Sequence, residues 1–410
     1  MNYLFEKISW KSCTTEHLQS YNKKLVNSAT DLLSKDFSDI NNFYEELSNL
    51  IKSAAMVLPR VQYKKHIKPY WNNCLKEAKR SVMAARAKWK KEGSRGPQKT
   101  FIIDDIRKLR LHIGRHNYVG KRKKQKVVAL EVDNAVLANP QVVADLWANY
   151  YEKLATPPEH VDQEEMKSKV DEILKNSEGM YDYTFNSSIT AEEITSVITT
   201  LPKGKSPGID GITYVHIKYG GEIIVGLLLN LFSYIIELEE ISKSFKMAIK
   251  IPIPKGNKTS RTFDDHRGIS LLPCINKMLE IIVLSRLQKE EKYSHQPLQG
   301  GYQREQDALT TCFVIDEVVN HCREEKEKVD VAYMDITKAF DTMWIEAMLF
   351  KLHYNKGIAE KTWRLIKNWY IDMKEFVFIG GKVSRTYNLY QGTRQGECYH
   401  LGSSLSLLTI

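Results

Sequence analysis

The 410-residue sequence predicts an α+β fold preceded by an all-helical, basic N-terminal region. Three observations lead to this prediction. Apolar residues recur at helical spacing through much of the first 156 residues. They predict an amphipathic helix at Pro140–Leu154, with one side lined by Val143, Leu146, Trp147, Tyr150 and Leu154. Residues 376–379 and 382–390 alternate in polarity on either side of Gly380-Gly381, which is typical of a β-hairpin. Val329–Met334 also alternates, which predicts a further strand.

Positive charge is concentrated in one part of the N-terminal region. The chain has a formal net charge of +10, but residues 61–126 contain 21 Lys and Arg against 4 Asp and Glu, a net charge of +17. Such a segment favours a polyanionic partner, although a solvated helix face is the alternative. Its last run, KRKKQK, would serve nuclear import or bind the RNA backbone, and a plain solvated cluster remains open. The candidate nucleic-acid ligands in it are Lys121, Arg122, Lys123 and Lys124.

Cysteine usage and hydropathy exclude several classes of protein. The six cysteines are scattered without a C-x-x-C pair, which indicates a reduced, intracellular chain without a zinc knuckle. The N-terminus has no basic-then-apolar leader, so we expect no signal peptide. The longest apolar run, Ile223–Ile236, contains Asn230 and Ser233 and is short for a membrane span, so we interpret it as a buried helix.

The middle of the chain contains a glycine-rich loop and a proline-containing strand. Lys203–Ile212 reads KGKSPGIDGI, where the glycines allow backbone shapes closed to other residues and Asp210 can tie the turn together. Ile249–Pro254 alternates, and its prolines predict an edge strand. Lys255 follows this strand, and Arg267 begins the string RGISLL.

The sharpest signal is Val329–Met343, which reads VDVAYMDITKAFDTM. The predicted strand ends at Asp335, where a carboxylate would project into a cleft. Asp341 is predicted to cap the next helix, whose apolar stripe is Ile345, Met348, Leu349 and Leu352. An aspartate at a strand-to-helix turn is also common for purely structural reasons.

These strings, in this order, resemble the reverse transcriptases of non-LTR (LINE-type) retrotransposons. The pattern Asp-x-x-Lys-Ala-Phe-Asp resembles the first palm motif of that family. The resemblance extends over about residues 185–396 and is carried by Lys203–Ile212, Arg267–Leu272, Gln299–Arg304 and Gln391–Gly396. Gly268 stands where the family usually has proline, and Arg304 is one residue late for the family's arginine.

The resemblance implies roles for individual residues. Nucleotide addition in the family uses two Mg²⁺ ions, and it implies that Asp335 is the catalytic metal ligand. Phe340 would exclude a 2′-hydroxyl group, and Lys255 and Arg267 would face the incoming triphosphate. Gln395 and Gly396 would lie beside the incoming base and template, and Tyr302 and Arg304 would contact nucleic acid.

The implied architecture is an incomplete right-hand polymerase, with fingers and a partial palm built on an antiparallel sheet. We expect a helical N-terminal region at 1–156, a linker at 157–184, fingers at 185–300, a partial palm at 301–396 and an aberrant tail at 397–410. The implied partners are an RNA template, a DNA primer and deoxynucleoside triphosphates, with no membrane and an open oligomeric state. The implied location is the nucleus or a cytoplasmic ribonucleoprotein.

The tail departs from the family pattern directly after Gly396. Back-translation of residues 397–404 in another frame can spell Val-Leu-Ser-Pro-Trp-Leu-Phe, so we interpret 397–410 as an out-of-frame segment, with natural divergence as the alternative. The paired-aspartate motif, the thumb and the endonuclease are then missing. We expect a truncated reverse transcriptase that does not polymerise by itself. The rival hypothesis is a non-enzymatic RNA- or DNA-binding remnant acting through residues 61–126.

Overall fold

A computed structural model of the chain describes residues 8–34, 39–60, 130–132, 135–158, 162–176, 188–255, 262–289, 308–333, 338–354, 357–358 and 360–394. These residues belong to one compact unit formed by 1–60 and 128–410. The helices are α1 (Thr15–Leu33), α2 (Ile40–Ala54), α3 (Pro140–Leu154), α4 (Asp162–Asn176), α5 (Ala191–Thr200), α6 (Tyr214–Lys218), α7 (Gly221–Leu238), α8 (Lys243–Lys246), α9 (Cys274–Gln288), α10 (Ala308–Glu324), α11 (Ile345–Tyr354) and α12 (Glu360–Tyr370). The strands are β1 (Leu130–Val132), β2 (Ala135–Leu137), β3 (Met247–Pro254), β4 (His266–Leu271), β5 (Lys374–Ile379) and β6 (Lys382–Asn388).

The larger sheet has the strand order β4-β3-β5-β6. The chain thus combines helices with a sheet, as the predicted α+β class requires. It is mixed rather than antiparallel, because Met247–Lys250 of β3 run parallel to Lys374–Val377 of β5. The predicted β-hairpin is confirmed: β5 and β6 pair antiparallel, and both central glycines, Gly380 and Gly381, have positive φ.

Strand β3 is an edge strand only in its second half. Ile249–Pro254 pair with β4, but β5 accompanies β3 only from Met247 to Lys250. The prediction of an edge strand at Ile249–Pro254 is therefore wrong for Ile249 and Lys250, which have a partner strand on both sides. Pro252 and Pro254 lie beyond the end of β5, where the missing N–H groups break no ladder on that side.

The helical core is centred on α7, which packs against α1, α2 and α5. Helix α7 is long and apolar enough to cross a membrane by length and composition alone. Its fully or largely buried side chains are Ile224, Leu227, Leu228, Leu231, Phe232, Ile235 and Ile236. The prediction of a buried core helix is confirmed, since these side chains pack inside the protein.

The strand predicted at Val329–Met334 does not form over its described part. Residues 327–333 have no regular secondary structure, and Tyr333 is 84% exposed. A strand needs a neighbouring backbone to pair with and apolar cover for one face. Within the described ranges, no strand pairs with residues 329–333, so Val329 and Val331 have no sheet in which to lie. Asp335 lies outside the described residues.

The helix after this segment begins later than predicted. Helix α11 starts at Ile345, so Asp341 is not its N-cap. Instead the Asp341 N–H donates to the Lys338 carbonyl at 2.8 Å, within a turn that precedes the helix. The predicted apolar stripe is confirmed, because all four of its residues are buried.

The segment predicted as a linker at 157–184 contains helix α4. This helix packs on α11 and buries Val170 and Ile173. The predicted amphipathic helix at Pro140–Leu154 forms with those bounds as α3 and covers β5 and β6. The basic segment 61–126 lies outside the described residues.

Candidate functional site

Two segments singled out in the sequence meet in space. The Thr393 N–H donates to the Phe340 carbonyl at 2.6 Å, and the Gly392 N–H donates to the Met343 carbonyl at 2.7 Å. Gly392 has a φ of +87°, and a Cβ built there would lie 2.5 Å from the Asp341 carbonyl oxygen. Only glycine fits both constraints. Residues 338–343 and 391–394 therefore form one continuous backbone feature, which we call the paired turn.

Lys338 opens the paired turn in an unusual backbone conformation. Its φ is +54°, which costs a residue with a Cβ about 1 kcal/mol. The Asp341 and Thr342 N–H groups both donate to its carbonyl, at 2.8 and 3.1 Å. The ammonium lies 3.1 Å from Asp264 Oδ1 and 5.1 Å from the centre of the Tyr150 ring. The side chain of Lys338 therefore makes an ion pair and a cation–π contact at the residue whose backbone is strained.

Lys255 reaches the same corner of the molecule. Its Nζ donates to the Asp264 carbonyl at 2.7 Å, and its N–H donates to the Asp265 carbonyl at 2.7 Å. The Lys338 ammonium holds the pKa of the Asp264 carboxyl below its usual value. Two ammonium groups thus converge on one loop beside the paired turn, and this arrangement suits a polyanionic group such as a phosphate chain.

Burial raises the pKa of the Asp341 carboxyl, and the charge of Glu375 raises it further. The positive charges of Lys250, Lys338 and Lys255 act in the opposite direction. The carboxyl therefore lies in a largely water-excluded place within electrostatic reach of three lysines.

A buried ionic network lies between the sheet and α3. Lys250 Nζ is 3.2 Å from Glu375 Oε2, and the two side chains are only 4% and 1% exposed. Ser270 Oγ donates to Glu375 Oε1 at 2.5 Å, and Tyr387 OH donates to Glu375 Oε2 at 3.1 Å. The network joins one residue from each of the four strands, and the ammonium also lies 5.2 Å from the Tyr151 ring centre.

Gly268, which stands where the family usually has proline, makes room for this network. A Cβ at Gly268 would lie 2.5 Å from Lys250 Cε and 2.8 Å from Tyr151 OH. Proline has such a Cβ, so the buried lysine and proline at this position exclude each other unless the side chains move. The departure from the family pattern therefore has a structural reason in this chain.

The KGKSPGIDGI loop is held by the N-terminal helices. Tyr44 OH of α2 donates to Asp210 Oδ2 at 2.7 Å, and the Ile212 N–H donates to Asp210 Oδ1 at 3.2 Å. Burial raises the pKa of Asp210 to about 6, against these two hydrogen bonds, which lower it. Gly208 packs on the backbone at residues 272–273, where a Cβ would meet Pro273 N at 2.3 Å.

The predicted site residues divide into three groups. Lys255 and Phe340 lie at or beside the paired turn. Arg267 is exposed, on the opposite face of β4 from the buried Ser270. The remaining predicted residues lie outside the described part of the chain: Asp335, Gln395, Gly396, Tyr302, Arg304, Lys121, Arg122, Lys123 and Lys124.

The described residues do not themselves form a magnesium site. Among them, no group of three or more His, Cys, Asp and Glu side chains is arranged to hold a metal ion. Asp341 is half-buried and lies within electrostatic reach of three lysines.

Sequence reasoning missed the residues that support the site from outside it. Tyr44 lies in a segment to which no chemistry was assigned, and Tyr150 was assigned only to an apolar helix face. Lys250 interrupts a run of apolar residues in β3, and Glu375 is the second residue of β5. A lysine inside an otherwise apolar strand was the one signal that could have indicated a buried ion pair.

Comparison with known proteins is consistent with these observations. The profile of the family described as "Reverse transcriptase (RNA-dependent DNA polymerase)" matches residues 253–406. The RNA-directed DNA polymerase from mobile element jockey of Drosophila melanogaster is 26% identical over 255 residues, which are 62% of this chain and 27% of that protein. The jockey enzyme of Drosophila funebris is 28% identical over 214 residues, covering 51% and 23% of the two chains.

A third relative is the probable RNA-directed DNA polymerase from transposon BS of Drosophila melanogaster, 24% identical over 211 residues. That match covers 51% of this chain and 23% of the relative. The chain thus spans about a quarter of the length of these relatives. Residues 253–406 therefore match a reverse transcriptase domain, and the chain is similar to the RNA-directed DNA polymerases of these mobile elements.

Proposed function

We propose that this chain is part of an RNA-directed DNA polymerase that extends a DNA primer on an RNA template. The proposed architecture is a right hand, with fingers over residues 185–300 and part of the palm over 301–396. The observation that carries the proposal is the 2.6 Å hydrogen bond from the Thr393 N–H to the Phe340 carbonyl. It unites two family motifs that lie more than fifty residues apart in the sequence.

In this proposal the paired turn and its lysines receive the incoming deoxynucleotide. Lys255 binds the triphosphate as a mobile point charge, and Arg267 contacts phosphate oxygens when the nucleic acid is in place. Phe340 lies under the sugar and excludes a 2′-hydroxyl group. Gln395 and Gly396 border the incoming base and the template, and Tyr302 and Arg304 contact nucleic acid.

Catalysis itself is proposed for the complete parent and not for this polypeptide. Two Mg²⁺ ions would activate the attacking 3′-oxygen and stabilise the leaving pyrophosphate. Asp335 would be one of their ligands, and a single carboxylate does not hold two such ions. We therefore propose that the 410-residue polypeptide does not incorporate nucleotides by itself.

A primer-extension assay with an RNA template, a DNA primer, deoxynucleotides and Mg²⁺ tests both statements. We expect no extension by the 410-residue chain, and extension by a chain that continues in the corrected reading frame. In the longer chain, Asp335→Ala should abolish extension, and Phe340→Ala should admit ribonucleotides. Extension by the 410-residue chain would contradict the proposed inactivity, and a longer chain that never extends would contradict the polymerase assignment.

The charge of residues 61–126 supports a second candidate function, a non-enzymatic RNA- or DNA-binding remnant. We propose that this segment binds the nucleic-acid backbone and directs the protein to the nucleus or to a cytoplasmic ribonucleoprotein. Replacing Lys121, Arg122, Lys123 and Lys124 with glutamine should weaken binding of single-stranded RNA and reduce the slope of log K against log salt by up to about 3. An unchanged slope would remove these residues from the interface.

Binding and extension together separate the two candidates. Salt-sensitive binding without extension, even in the lengthened chain, favours the remnant. Extension that depends on Asp335 favours the polymerase. The intracellular position of a fluorescent fusion with and without the KRKKQK run tests the proposed location.

A further inference from the structure

Helix α3 contacts both segments of the paired turn and the loop at Asp264 that Lys255 and Lys338 bind. It does so although it precedes the family match, which begins at residue 253. At its C-terminal end, Gln391 Nε2 donates to the Leu154 carbonyl at 2.9 Å. The Tyr390 and Gln391 N–H groups both donate to the Ala155 carbonyl, at 3.0 and 3.1 Å. The start of the 391–394 segment of the paired turn is therefore anchored on the end of α3.

One turn earlier, Tyr150 of α3 contacts the other side of the paired turn. Its ring is stacked on Phe263 with 4.6 Å between centroids and an interplanar angle of 8°. Its hydroxyl donates to Asp264 Oδ1 at 3.2 Å, and the Lys338 ammonium lies 5.1 Å from the ring centre. A single aromatic side chain thus contacts the β3–β4 loop and the residue with left-handed backbone that opens the turn.

The adjacent tyrosine faces the buried network. Tyr151 is buried, and its ring centre lies 5.2 Å from Lys250 Nζ. Gly268 leaves the space that this arrangement requires. Consecutive residues of α3 therefore contact two of the three lysines whose charge reaches Asp341.

We propose that Tyr150 is a positioning residue of the nucleotide site: its ring and hydroxyl fix Lys338 and Asp264, and thereby hold the turn that presents Phe340. The inference rests on the proposed function for its purpose, because the turn is the place where the nucleotide sugar would bind. The contacts of Tyr150 do not depend on that function, because the inference concerns how often the hydrogen bonds of residues 338–343 open. Helix α3 is then part of the polymerase site and not a separate upstream element.

Hydrogen–deuterium exchange on the 410-residue chain tests the proposal without any activity. The reporters are the amides of Asp341, Thr342, Gly392 and Thr393, whose hydrogen bonds close the paired turn. Tyr150→Leu should speed their exchange about fivefold, which corresponds to about 1 kcal/mol. Amides of α9 should keep their wild-type rates.

Two further variants distinguish positioning from general stability. Tyr150→Phe keeps the ring between Phe263 and Lys338, so it should restore exchange to within about twofold of the wild type. Tyr234→Leu removes an equally half-buried tyrosine from α7 and should leave the paired turn unchanged. This series separates an aromatic contact from mere loss of a large side chain.

The proposal is overturned if Tyr150→Leu folds and the four reporter amides exchange at wild-type rates. It is equally overturned if Tyr234→Leu accelerates them as much as Tyr150→Leu does. Should Tyr150→Leu fail to fold, Lys338→Met takes its place in the test, because it removes the cation and leaves the ring. The same local acceleration would support the proposal, and its absence would reject it. None of these outcomes depends on primer extension, so failure here is distinct from failure of the polymerase assignment.

Discussion

The Lys250–Glu375 pair offers the most direct test of the energetics of this fold. In Lys250→Met the side-chain length is kept and the ammonium is lost. Glu375, only 1% exposed, would then be buried with the hydroxyls of Ser270 and Tyr387 as its remaining donors. Removing one partner of a buried ion pair typically costs about 3–5 kcal/mol, because the other charge is left uncompensated. We expect a loss at the lower end of that range, about 3 kcal/mol, since two hydrogen bonds to the carboxylate persist.

Urea unfolding followed by tryptophan fluorescence measures this loss. The double variant Lys250→Met/Glu375→Gln should regain most of it, because the amide oxygen of glutamine still accepts from the two hydroxyls and no charge is buried. Lys169→Met is the matched control, since it removes one partner of the exposed Glu165–Lys169 pair. If Lys250→Met lowers the free energy of unfolding no more than Lys169→Met does, the buried network does not make the large contribution to stability that its short distances imply.

Two other predictions concern the loops beside the site. Because the pKa of Asp210 is raised to about 6, the folded state binds the proton of this carboxyl more tightly than the unfolded chain does. The protonated carboxyl therefore contributes its full stabilisation below about pH 4, and this stabilisation is lost as the pH rises through 6. Asp210→Asn should remove about 3 kcal/mol of pH dependence from that window, since each unit by which the pKa rises is worth about 1.4 kcal/mol. Urea titrations at several pH values measure this change, and an unchanged profile would contradict the burial of this carboxyl. Gly392→Ala should lower stability by at least about 2 kcal/mol, because a methyl group would meet the Asp341 carbonyl at 2.5 Å in a left-handed backbone. Gly226→Ala, in α7 with open space around it, should instead raise stability by about 0.5–1 kcal/mol, and equal melting shifts for both variants would reject the steric argument.

Local rules predicted the elements whose stabilising contacts are close in sequence. The spacing of Thr190 and Glu193 is typical of a capping box. The box forms, with each side chain bonded to the other residue's backbone. The Gly380-Gly381 hairpin and the helix over Pro140–Leu154 also form with the expected character. In each case the hydrogen bonds and apolar contacts that decide the structure lie within a few residues, so the pattern is sufficient.

Patterns failed where a distant segment decides the outcome. The alternation of Val329, Val331 and Tyr333 predicts a strand, but period-two polarity does not supply a neighbouring backbone, and the described residues offer none. Asp341 was expected to cap a helix, but the hydrogen bonds of residues 340 and 343 to residues 392–393 keep that stretch out of the helix until Ile345. Long-range pairing overrides local preference because it gives hydrogen-bond partners to backbone groups that the local structure would leave without them.

The sequence by itself determined the resemblance to reverse transcriptases, the order of the motifs and most helices, because these depend on residue identity and short-range spacing. Only the tertiary structure decided that α3 contacts the paired turn, that Lys250 and Glu375 form a buried pair, and that Gly268 leaves room beside Lys250. Those facts depend on which side chains from distant segments share a desolvated space. The cost of burying a charge is set by its neighbours in three dimensions, and sequence spacing does not record them.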